Sequence, residues 1–326
     1  MLCIRNDNID PYFNMAAEEY VLKNFDRDSF MLWRNNNAIV VGKHQNTLAE
    51  INVDYVKKKN ITVVRRLSGG GTVFQDLGNL NFTFIQKGQK GKLVDFRKYT
   101  QPIIDILQKL NIDAKFEGRN DITIEGKKFS GNAEHVYKNK VLHHGTLLFT
   151  ANMKDVSEAL KVNPLKFKDK AVKSVKSRVT NISDHLEKQI DIETFKNMIM
   201  DHIMEMYDDS EAYEFTDEDE RKIRELADEK YSTWEWNFGY QAKYDFNKMI
   251  KTEGGHIEFH MNVQDGIITT LKIFGDFFGS KDIREIEQAL AGIRHEENTI
   301  INTLEKYDLN DYFNKVKLEE FVAGLF

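Results

Sequence analysis

Two arginines stand directly in front of three consecutive glycines in the segment VVRRLSGGGTVFQDLGN, residues 63–79. Glycine loses the most backbone freedom on folding, so three in a row between apolar runs require a reason. Neither the dinucleotide fingerprint G-x-G-x-x-G nor the P-loop pattern G-x-x-x-x-G-K-[ST] is present, and the residues after Gly71 read as a strand. We expect a strand–loop–strand element whose bare amides face an anion, with a simple sheet bulge as the alternative.

The two arginines cannot serve the same purpose. Arg65 and Arg66 are neighbours in the strand that precedes the glycines, so their side chains point to opposite faces of the sheet. Only one of them can reach the glycine loop, and we expect the other to be structural.

A second polar segment, GRNDITIEGKKFSGNA, covers residues 118–133. Asp121 heads a strand, where a carboxylate could bind a hard cation such as Mg2+. Lys128 follows a turn and precedes small residues that would let a ligand approach, and a lysine near phosphate is a compact cation with several donors. Taken alone, the pattern around Lys128 fits a solvated lysine on a strand better than a lysine that binds phosphate.

Two further segments carry candidate side chains. His143 and His144 are adjacent in a strand, so they point to opposite faces and cannot bind one metal ion together. His144 is expected to face a pocket, with a buried, hydrogen-bonded strand histidine as the alternative. Residues 161–178 contain seven basic residues against Asp169 alone, which suits either a basic loop that closes over a phosphorylated intermediate or a solvated face.

In combination and in this order, these segments resemble the lipoate–protein ligases. RRLSGGGTVFQDLGNLNFTF, GRNDITIEGKKFSGNA, HHGTLLF and KSVKSRVTNI match motifs of that family. STWEWNFG and GGHIEFHMNVQDGIITTLKIFGDFFG look like the accessory domain of its long, two-domain members. DPYFNMAAEEYVL and LWRNNNAIVVGKHQNTLAEIN resemble its N-terminal part, so the resemblance covers nearly the whole chain.

The resemblance implies a fold and a reaction. The fold would be the one shared with biotin protein ligases. The reaction would join lipoate to ATP, release pyrophosphate, and pass the lipoyl group from lipoyl-AMP to a lysine of an acceptor. Acceptors of this family are the lipoyl domains of 2-oxoacid dehydrogenase E2 subunits and the glycine cleavage H protein.

The resemblance also implies a role for each matching residue. Lys128 would hold the lipoyl carbonyl and the α-phosphate as the catalytic residue, Arg66 would contact the nucleotide, and Asp121 would bind Mg2+. Further contacts to ATP or the adenylate would come from Gly71, Thr72, Val73, Phe74, Ser177, Arg178 and Val179. Further contacts to lipoate would come from Ser68, Gly69, Gly70, Asn79 and His144. Gln75 stands where a histidine is common, and we expect its side chain to point away from the glycines.

Single residues help to decide between the lipoate ligase and its competing functions. Attack of a carboxylate on phosphorus brings two anions together, so the chemistry needs charge stabilisation and positioning and no side-chain nucleophile. Related octanoyl and lipoyl transferases that work without ATP use a cysteine as acyl carrier, and here Cys3 is the single cysteine and lies outside every motif. The signature of biotin ligases differs from RRLSGGG. A non-catalytic lipoyl-domain binder would have lost Lys128 or the arginine, and both are present.

The elements that would position these residues predict an α/β (α+β) fold with a mixed, largely antiparallel sheet. We predict a helix over residues 11–25, a hairpin formed by strands 30–34 and 38–42 around Asn35–Asn37, and a helix from about residue 101 to 110. Residues 113–149 read as a meander of strands. The catalytic domain would cover residues 1–246, and a small α+β accessory domain residues 247–326.

Composition limits the class of protein. The 326 residues are 41% hydrophobic, which allows a packed core and more than one domain. A net charge of −6 argues against a dedicated nucleic-acid binder, and no apolar run approaches the roughly 18 residues of a membrane span. The start of the sequence lacks the pattern of a secretion signal, and one cysteine cannot form an internal disulfide. We expect a cytoplasmic monomer that binds neither nucleic acid nor membrane.

Overall fold

The structure, a computed structural model, describes residues 1–45, 47–88, 95–160, 179–238, 246–264, 267–295 and 297–325. Its strands, in chain order, are β1 (Leu2–Arg5), β2 (Ser29–Trp33), β3 (Ala38–Val41), β4 (Thr62–Arg65), β5 (Val73–Gln75), β6 (Asn79–Lys87), β7 (Ala114–Glu117), β8 (Asp121–Ile124), β9 (Lys127–Tyr137), β10 (Lys140–Leu148), β11 (Glu211–Glu214), β12 (Phe246–Thr252), β13 (Gly255–Gln264) and β14 (Ile267–Gly275).

The helices of the described residues, also in chain order, are α1 (Pro11–Asn24), α2 (Thr47–Glu50), α3 (Val53–Lys59), α4 (Phe96–Lys109), α5 (Met153–Ala159), α6 (Ile192–Met206), α7 (Asp217–Leu226), α8 (Trp234–Asn237), α9 (Arg284–Leu290), α10 (Glu297–Leu304) and α11 (Leu318–Ala323).

Three sheets organise the chain. The largest has the strand order β11-β1-β2-β6-β10-β9-β8-β7, in which β1 runs parallel to β11 and β2 and the other neighbours are antiparallel. A second sheet has the order β4-β3-β5, and a third the order β12-β13-β14. The prediction of a mixed, largely antiparallel sheet is confirmed, and so is the meander of β7 to β10.

The hairpin predicted from strands 30–34 and 38–42 is wrong. β2 pairs with β1 and β6 in the large sheet, whereas β3 pairs with β4 and β5 in the second sheet. The three asparagines between them carry the chain from one sheet to the other. Asn35 is fully buried and its amide donates to Gln75 Oε1 at 2.8 Å, and Asn37 adopts a left-handed conformation at φ 42°.

Local sequence explains the helices that frame the site. Asp10 caps α1 by accepting a hydrogen bond from the Tyr12 amide at 2.9 Å, and Pro11 occupies the first position, as predicted. The second helix, α4, begins at Phe96 and not near residue 101, because Asp95 caps it by accepting from the Lys98 amide at 3.2 Å. Pro102 is therefore inside α4 and does not mark its start.

The third sheet and helices α9 to α11 have an apolar core of their own. Its centre includes Phe259, Met261 and Phe313, all fully buried. This C-terminal region packs on the rest of the chain through the residues after β14. There the Phe277 ring stacks on His44 with a centroid distance of 4.7 Å, and the Gly275 amide donates to His44 O at 2.6 Å. No described helix is both long and apolar enough to cross a membrane.

Candidate active site

The second sheet and the large sheet face each other across a cavity of about 120 Å³. One wall is the glycine loop between β4 and β5, and the other is formed by β9 and β10. The lining combines apolar, amide and charged side chains with bare backbone: Met15, Trp33, Val40, Arg66, Gly70, Gly71, Thr72, Val73, Gln75, Asn81, Asn120, Lys128, Gly131, Asn132, Ala133, His144, Gly145 and Thr146.

Arg66 holds the glycine loop in shape and also lines the cavity. Its Nη2 donates to Gly69 O at 2.6 Å and to Gly71 O at 2.8 Å, and its Nε donates to Ser68 Oγ at 2.9 Å. Burial lowers the pKa of Arg66 to about 10, so the guanidinium stays charged at neutral pH. A cation therefore lies directly behind the amides of the loop.

Arg65 points to the opposite side of the strand, as the alternation predicts. Its guanidinium is buried among carbonyl oxygens, at 2.9 Å from Gly42 O, 2.7 Å from Gln45 O and 3.1 Å from Asn237 O. Arg65 thus joins the loop after β3 to α8, and the structure assigns it a purely structural position.

The three glycines meet three different surroundings. Gly70 has φ 89°, a conformation that L side chains rarely adopt, and its amide donates to Phe277 O at 3.4 Å. A Cβ on Gly69 would lie 2.1 Å from the same carbonyl oxygen. A Cβ on Gly71 would have nothing within 4 Å, because this residue faces the cavity. The loop is therefore bare toward the ligand space and tightly covered on its other side.

Lys128 reaches the cavity from the start of β9. Its ammonium lies 2.8 Å from Asp121 Oδ1, and both side chains are roughly two-fifths exposed, at 39% and 38%. A Cβ on Gly131 would come within 2.9 Å of Lys128 Nζ, so the glycine gives this lysine room to lie along the strand. The Lys128 carbonyl accepts from the Thr180 amide at 2.9 Å, and Val179 pairs with Lys128 in an isolated parallel bridge.

His144 belongs to a chain of hydrogen bonds that starts at a buried carboxylate. Its Nδ1 lies 2.8 Å from Glu18 Oε1, and its Nε2 lies 2.6 Å from Ser68 Oγ. Because the Glu18 carboxylate can only accept, His144 donates to it from Nδ1, and in the neutral imidazole Nε2 then accepts the hydroxyl proton of Ser68, whose oxygen accepts from Arg66 Nε. This chain fixes the tautomer of His144 and links Glu18 to Arg66.

Glu18 was not expected at the site. It lies on the buried side of α1, and besides His144 it accepts from Thr83 Oγ1 at 2.6 Å. Thr83 in turn accepts from Trp33 Nε1 at 2.9 Å. The signal in the sequence is the pair of glutamates within the apolar stripe of α1, where a charged residue requires a buried partner.

Side-chain amides form the inner end of the cavity. Gln75 Oε1 accepts from Asn35 at 2.8 Å, and Gln75 Nε2 donates to Asn81 Oδ1 at 2.8 Å. The expectation that Gln75 points away from the glycines is wrong, since its side chain lines the same cavity as Gly70 and Gly71. Asn79 is buried behind this layer and donates to Asn81 Oδ1 at 2.9 Å, so Asn81 and not Asn79 contacts the ligand space.

His143 points away from the cavity, as its strand position requires. Its Nδ1 lies 2.9 Å from Glu134 Oε1, and both side chains are buried. Burial lowers the pKa of His143 well below its usual value and raises the pKa of Glu134 to about 8. The two groups therefore form a neutral pair in the core of the large sheet.

The remaining predicted residues are spread around the cavity. Thr72 and Val73 line it directly, while Phe74 is buried in the cluster around Ile39 and Val41. Ser68 and Gly69 lie behind the lining, against His144 and Phe277 respectively. Ser177, Arg178 and the rest of the basic segment, residues 161–178, lie outside the described residues. Within the described part of the chain, no group of three or more His, Cys, Asp and Glu side chains could hold a metal ion.

Comparison with known protein families matches both parts of the chain. The family model of the lipoyl protein ligase A/B catalytic domain matches residues 10–204, and that of the bacterial lipoate protein ligase C-terminus matches residues 241–325. The chain belongs to the lipoate–protein ligase family. Lipoate–protein ligase 1 of Staphylococcus aureus is 44% identical to it over 325 residues, which is 99% of both chains. A Bacillus subtilis lipoate–protein ligase is 41% identical over 327 residues, again 99% of both.

Solved structures confirm the lipoate ligase fold. A P. falciparum protein, LipL1, crystallised with lipoate, superposes with a TM-score of 0.81 over 99% of this chain and 97% of its own, at 24% identity. A lipoate–protein ligase A bound with ATP gives a TM-score of 0.64 at 27% identity, over 74% of this chain and 98% of its own. A Thermoplasma acidophilum lipoate protein ligase, described with its E2 lipoyl domain, gives 0.66 at 30% identity, over 75% and 98%. The resemblance predicted from the motifs and the two-domain form are confirmed.

Proposed function

We propose that this lipoate–protein ligase activates lipoate with ATP in the cavity between its two sheets. In the first step a carboxylate oxygen of lipoate forms a bond to the α-phosphorus, and the bond to the bridging oxygen breaks as pyrophosphate leaves. In the second step an acceptor lysine amine attacks the acyl carbon, AMP leaves, and the amine loses a proton to solvent. Pyrophosphate release and acyl transfer are therefore separable measurements.

The convergence of Arg66 and Lys128 on one cavity carries this proposal. The two cations come from different sheets and flank bare glycine backbone. Such an arrangement attracts two anionic reactants and counters the negative charge that increases at phosphorus in the transition state. No nucleophilic side chain is needed. An ATP-independent transferase would require a cysteine as acyl carrier, and the single cysteine, Cys3, is fully buried in β1, where burial raises the pKa of its thiol.

Each wall of the cavity suits one part of the adenylate. Apolar contact from Met15, Trp33, Val40 and Ala133 suits the acyl chain. Gly70 and His144 would border the same chain, with Ser68, Gly69 and Asn79 supporting them from behind. Gly71, Thr72 and Val73 would contact the nucleotide through backbone and packing, Phe74 would support them from the core, and Val179 would join from the side of Lys128.

Asp121 could bind Mg2+ only if the nucleotide supplied further ligands. Magnesium in nucleotide sites is held by one or two carboxylates together with phosphate oxygens and water. Asp121 supplies one such carboxylate, and it now binds Lys128. When bound, the ion would neutralise phosphate charge, and Asp121 and Lys128 would then take separate partners on the nucleotide.

The wider role follows from the family. Acceptors would be the lipoyl domains of 2-oxoacid dehydrogenase E2 subunits and the glycine cleavage H protein, modified by a monomer in the cytoplasm. Residues 1–246 would form the catalytic domain and residues 247–326 the accessory domain. The archaeal relative was described together with its E2 lipoyl domain, which supports the first class of acceptor.

The decisive experiment compares two neighbouring lysines. Lys128→Ala should abolish lipoate-dependent exchange of pyrophosphate into ATP. Lys127→Ala, which changes the exposed neighbour on β9, should leave the exchange near the wild-type rate. The melting temperature should barely change in either variant, because an exposed ion pair such as Lys128 with Asp121 contributes roughly 0–1 kcal/mol. Wild-type exchange in Lys128→Ala would refute the assignment.

The acceptor is identified in a second measurement. Purified H protein and a dehydrogenase lipoyl domain are incubated side by side with the enzyme, lipoate and ATP, and the mass gain of each is recorded. ATP-dependent gain on either one supports transfer. The ATP-independent transferase is tested in a parallel reaction without ATP, in which lipoyl-H protein replaces free lipoate as the acyl donor, and mass gain on the dehydrogenase lipoyl domain there would favour it.

A further inference from the structure

A second cavity lies between the catalytic region and the C-terminal region, and it shares no lining residue with the first. It has a volume of about 220 Å³. An adjoining space of about 170 Å³ shares Lys43, His44 and His135 with it. We refer to both as the interdomain cleft. Its catalytic side carries Lys23, Lys43 and Lys230, and its C-terminal side carries Arg284.

The three ionised carboxylates of the interdomain cleft already have cationic partners, and a fourth carboxyl group, that of Glu134, stays protonated because burial raises its pKa to about 8. Glu19 Oε1 lies 2.6 Å from Lys23, and Glu19 Oε2 lies 2.6 Å from Lys230, so two lysines share one carboxylate. Tyr231 also donates to Glu19 at 2.6 Å. Burial alone would raise the pKa of Glu19. The charge of Lys230 and the hydrogen bonds from Lys23, Lys230 and Tyr231 lower it by more, so the pKa of Glu19 lies below its usual value.

The two carboxylates from the C-terminal region are paired as well. Asp282 Oδ2 lies 2.5 Å from Arg284 Nη2. Glu287 Oε2 lies 2.8 Å from Lys272, and its other oxygen accepts from the Ile273 amide at 3.0 Å. None of these three carboxylates has its charge available for a further cation.

Lys43 is the cation that remains. Its side chain is partly buried between the two regions, and among the described residues its ammonium has no hydrogen-bond or ion-pair partner. Burial lowers the pKa of Lys43, with the charges of Arg284 and Lys230 adding to the effect and those of Asp282 and Glu19 opposing it. An ammonium in a partly enclosed cavity is less well hydrated than one in open water, and a bound anion would offset that loss.

The interdomain cleft therefore has an excess of positive charge in a chain whose net charge is −6. Among the described residues, five cations, with Lys272 included, face three ionised carboxylates. Lys281 is paired with Asp311 and Glu134 is neutral, so two positive charges remain. His44 and His135 also line the interdomain cleft, and burial lowers the pKa of both, that of His135 to about 3, so they are neutral hydrogen-bonding groups. Each of the two spaces of the interdomain cleft is several times larger than the ~30 Å³ that one water occupies.

We propose that the interdomain cleft binds a small phosphate dianion, held by Lys43 on the catalytic side and by Arg284 on the C-terminal side. Two excess charges match a doubly charged oxyanion, and ammonium, guanidinium and imidazole are the donors that such an ion accepts from. Inorganic phosphate and pyrophosphate share this chemistry, and the experiment compares them. Because the bound ion touches both regions, it would hold them together.

The test is calorimetric titration of the full chain with inorganic phosphate and, separately, with pyrophosphate, in the absence of ATP and lipoate. Lys43→Met and Arg284→Met should each weaken binding about tenfold or more, the cost of one charge-assisted hydrogen bond. Lys128→Met, which changes the first cavity, should leave binding at wild-type strength. The proposal is wrong if Lys128→Met abolishes binding, if Lys43→Met leaves it unchanged, or if wild type binds neither ion.

Stability separates loss of the site from loss of the fold. Since Lys43 has no partner, Lys43→Met should keep or raise the melting temperature without phosphate, while it removes the increase that phosphate causes in wild type. Lys43→Arg should restore that increase. A Lys43→Met protein that melts below wild type without phosphate would show that the ammonium is already satisfied, which contradicts the proposal.

Discussion

Alanine at Gly69 should weaken the packing of the C-terminal region, whereas alanine at Gly71 should leave it unchanged. Neither residue has a left-handed φ, so the two changes differ in the space that the new methyl group meets. At Gly69 the Cβ would lie 2.1 Å from Phe277 O, and ordinary contact begins at 3.4 Å, so the Phe277 backbone must retreat by more than 1 Å. At Gly71 the Cβ meets nothing within 4 Å.

The cost of the Gly69→Ala change follows from the contacts that such a retreat breaks. The Gly70 amide loses its bond to Phe277 O, worth about 0.5–1.5 kcal/mol. The stacked pair of His44 and Phe277, at 4.7 Å between centroids, contributes a similar ~0.5–1.5 kcal/mol. The packing between the two regions should therefore weaken by roughly 1–3 kcal/mol, which is about a 5- to 150-fold change in the local opening equilibrium.

Hydrogen exchange at the Gly275 amide measures this opening directly, because that amide donates to His44 O across the same contact. In Gly69→Ala it should exchange faster by the factor given above, while amides in the middle of β6 and β10 stay protected. Gly71→Ala should leave exchange at Gly275 unchanged and instead lower lipoate and ATP affinity, since its methyl group enters the cavity. Equal exchange at Gly275 in wild type and Gly69→Ala would refute the reasoning.

Three further changes probe single interactions. Arg65→Lys should lower the free energy of unfolding by about 2–4 kcal/mol in urea titration, because lysine cannot reach the carbonyls of Gly42, Gln45 and Asn237 together. Glu18→Gln should weaken lipoate binding about tenfold in calorimetry with little change in melting temperature, because it weakens the charge-assisted bond that orients His144. The pKa of Glu134 is raised by burial to about 8 from about 4.3, so the folded state keeps a proton that the unfolded state has lost, and wild type should lose about 1 kcal/mol of stability between pH 7 and pH 8. Glu134→Gln should remove this loss, and the buried His143 changes it little, because an unfolded histidine with a pKa of about 6.5 is already mostly neutral at pH 7.

Local patterns predicted the parts of the fold that depend on neighbours in sequence. Asp10 and Pro11 place the start of α1, and alternation separates Arg65 from Arg66 and His143 from His144. In each case the outcome depends on backbone geometry over a few residues. The same reasoning, together with the family motifs, predicted that Arg66 and Lys128 lie at the same site, and both line the first cavity.

Contacts between distant segments could not be predicted in this way. The hairpin around Asn35–Asn37 had the usual turn composition, but the buried bond from Asn35 to Gln75 directs the chain into another sheet. The same bond turns Gln75 toward the cavity. The sequence of α1 does not distinguish Glu18 from Glu19, because the partners of Glu18, Thr83 and His144, come from the distant strands β6 and β10.

Because the first cavity lies at the junction of two sheets, ligand binding depends on the complete fold. Arg66 and the glycines belong to one sheet and Lys128 and His144 to another, so a partly unfolded chain in which the sheets have separated retains no binding site. Ligand then stabilises only the complete fold, by about 2.7 kcal/mol at a hundredfold excess over its dissociation constant. Resistance of this protein to proteolysis should rise and fall with the supply of its own substrates.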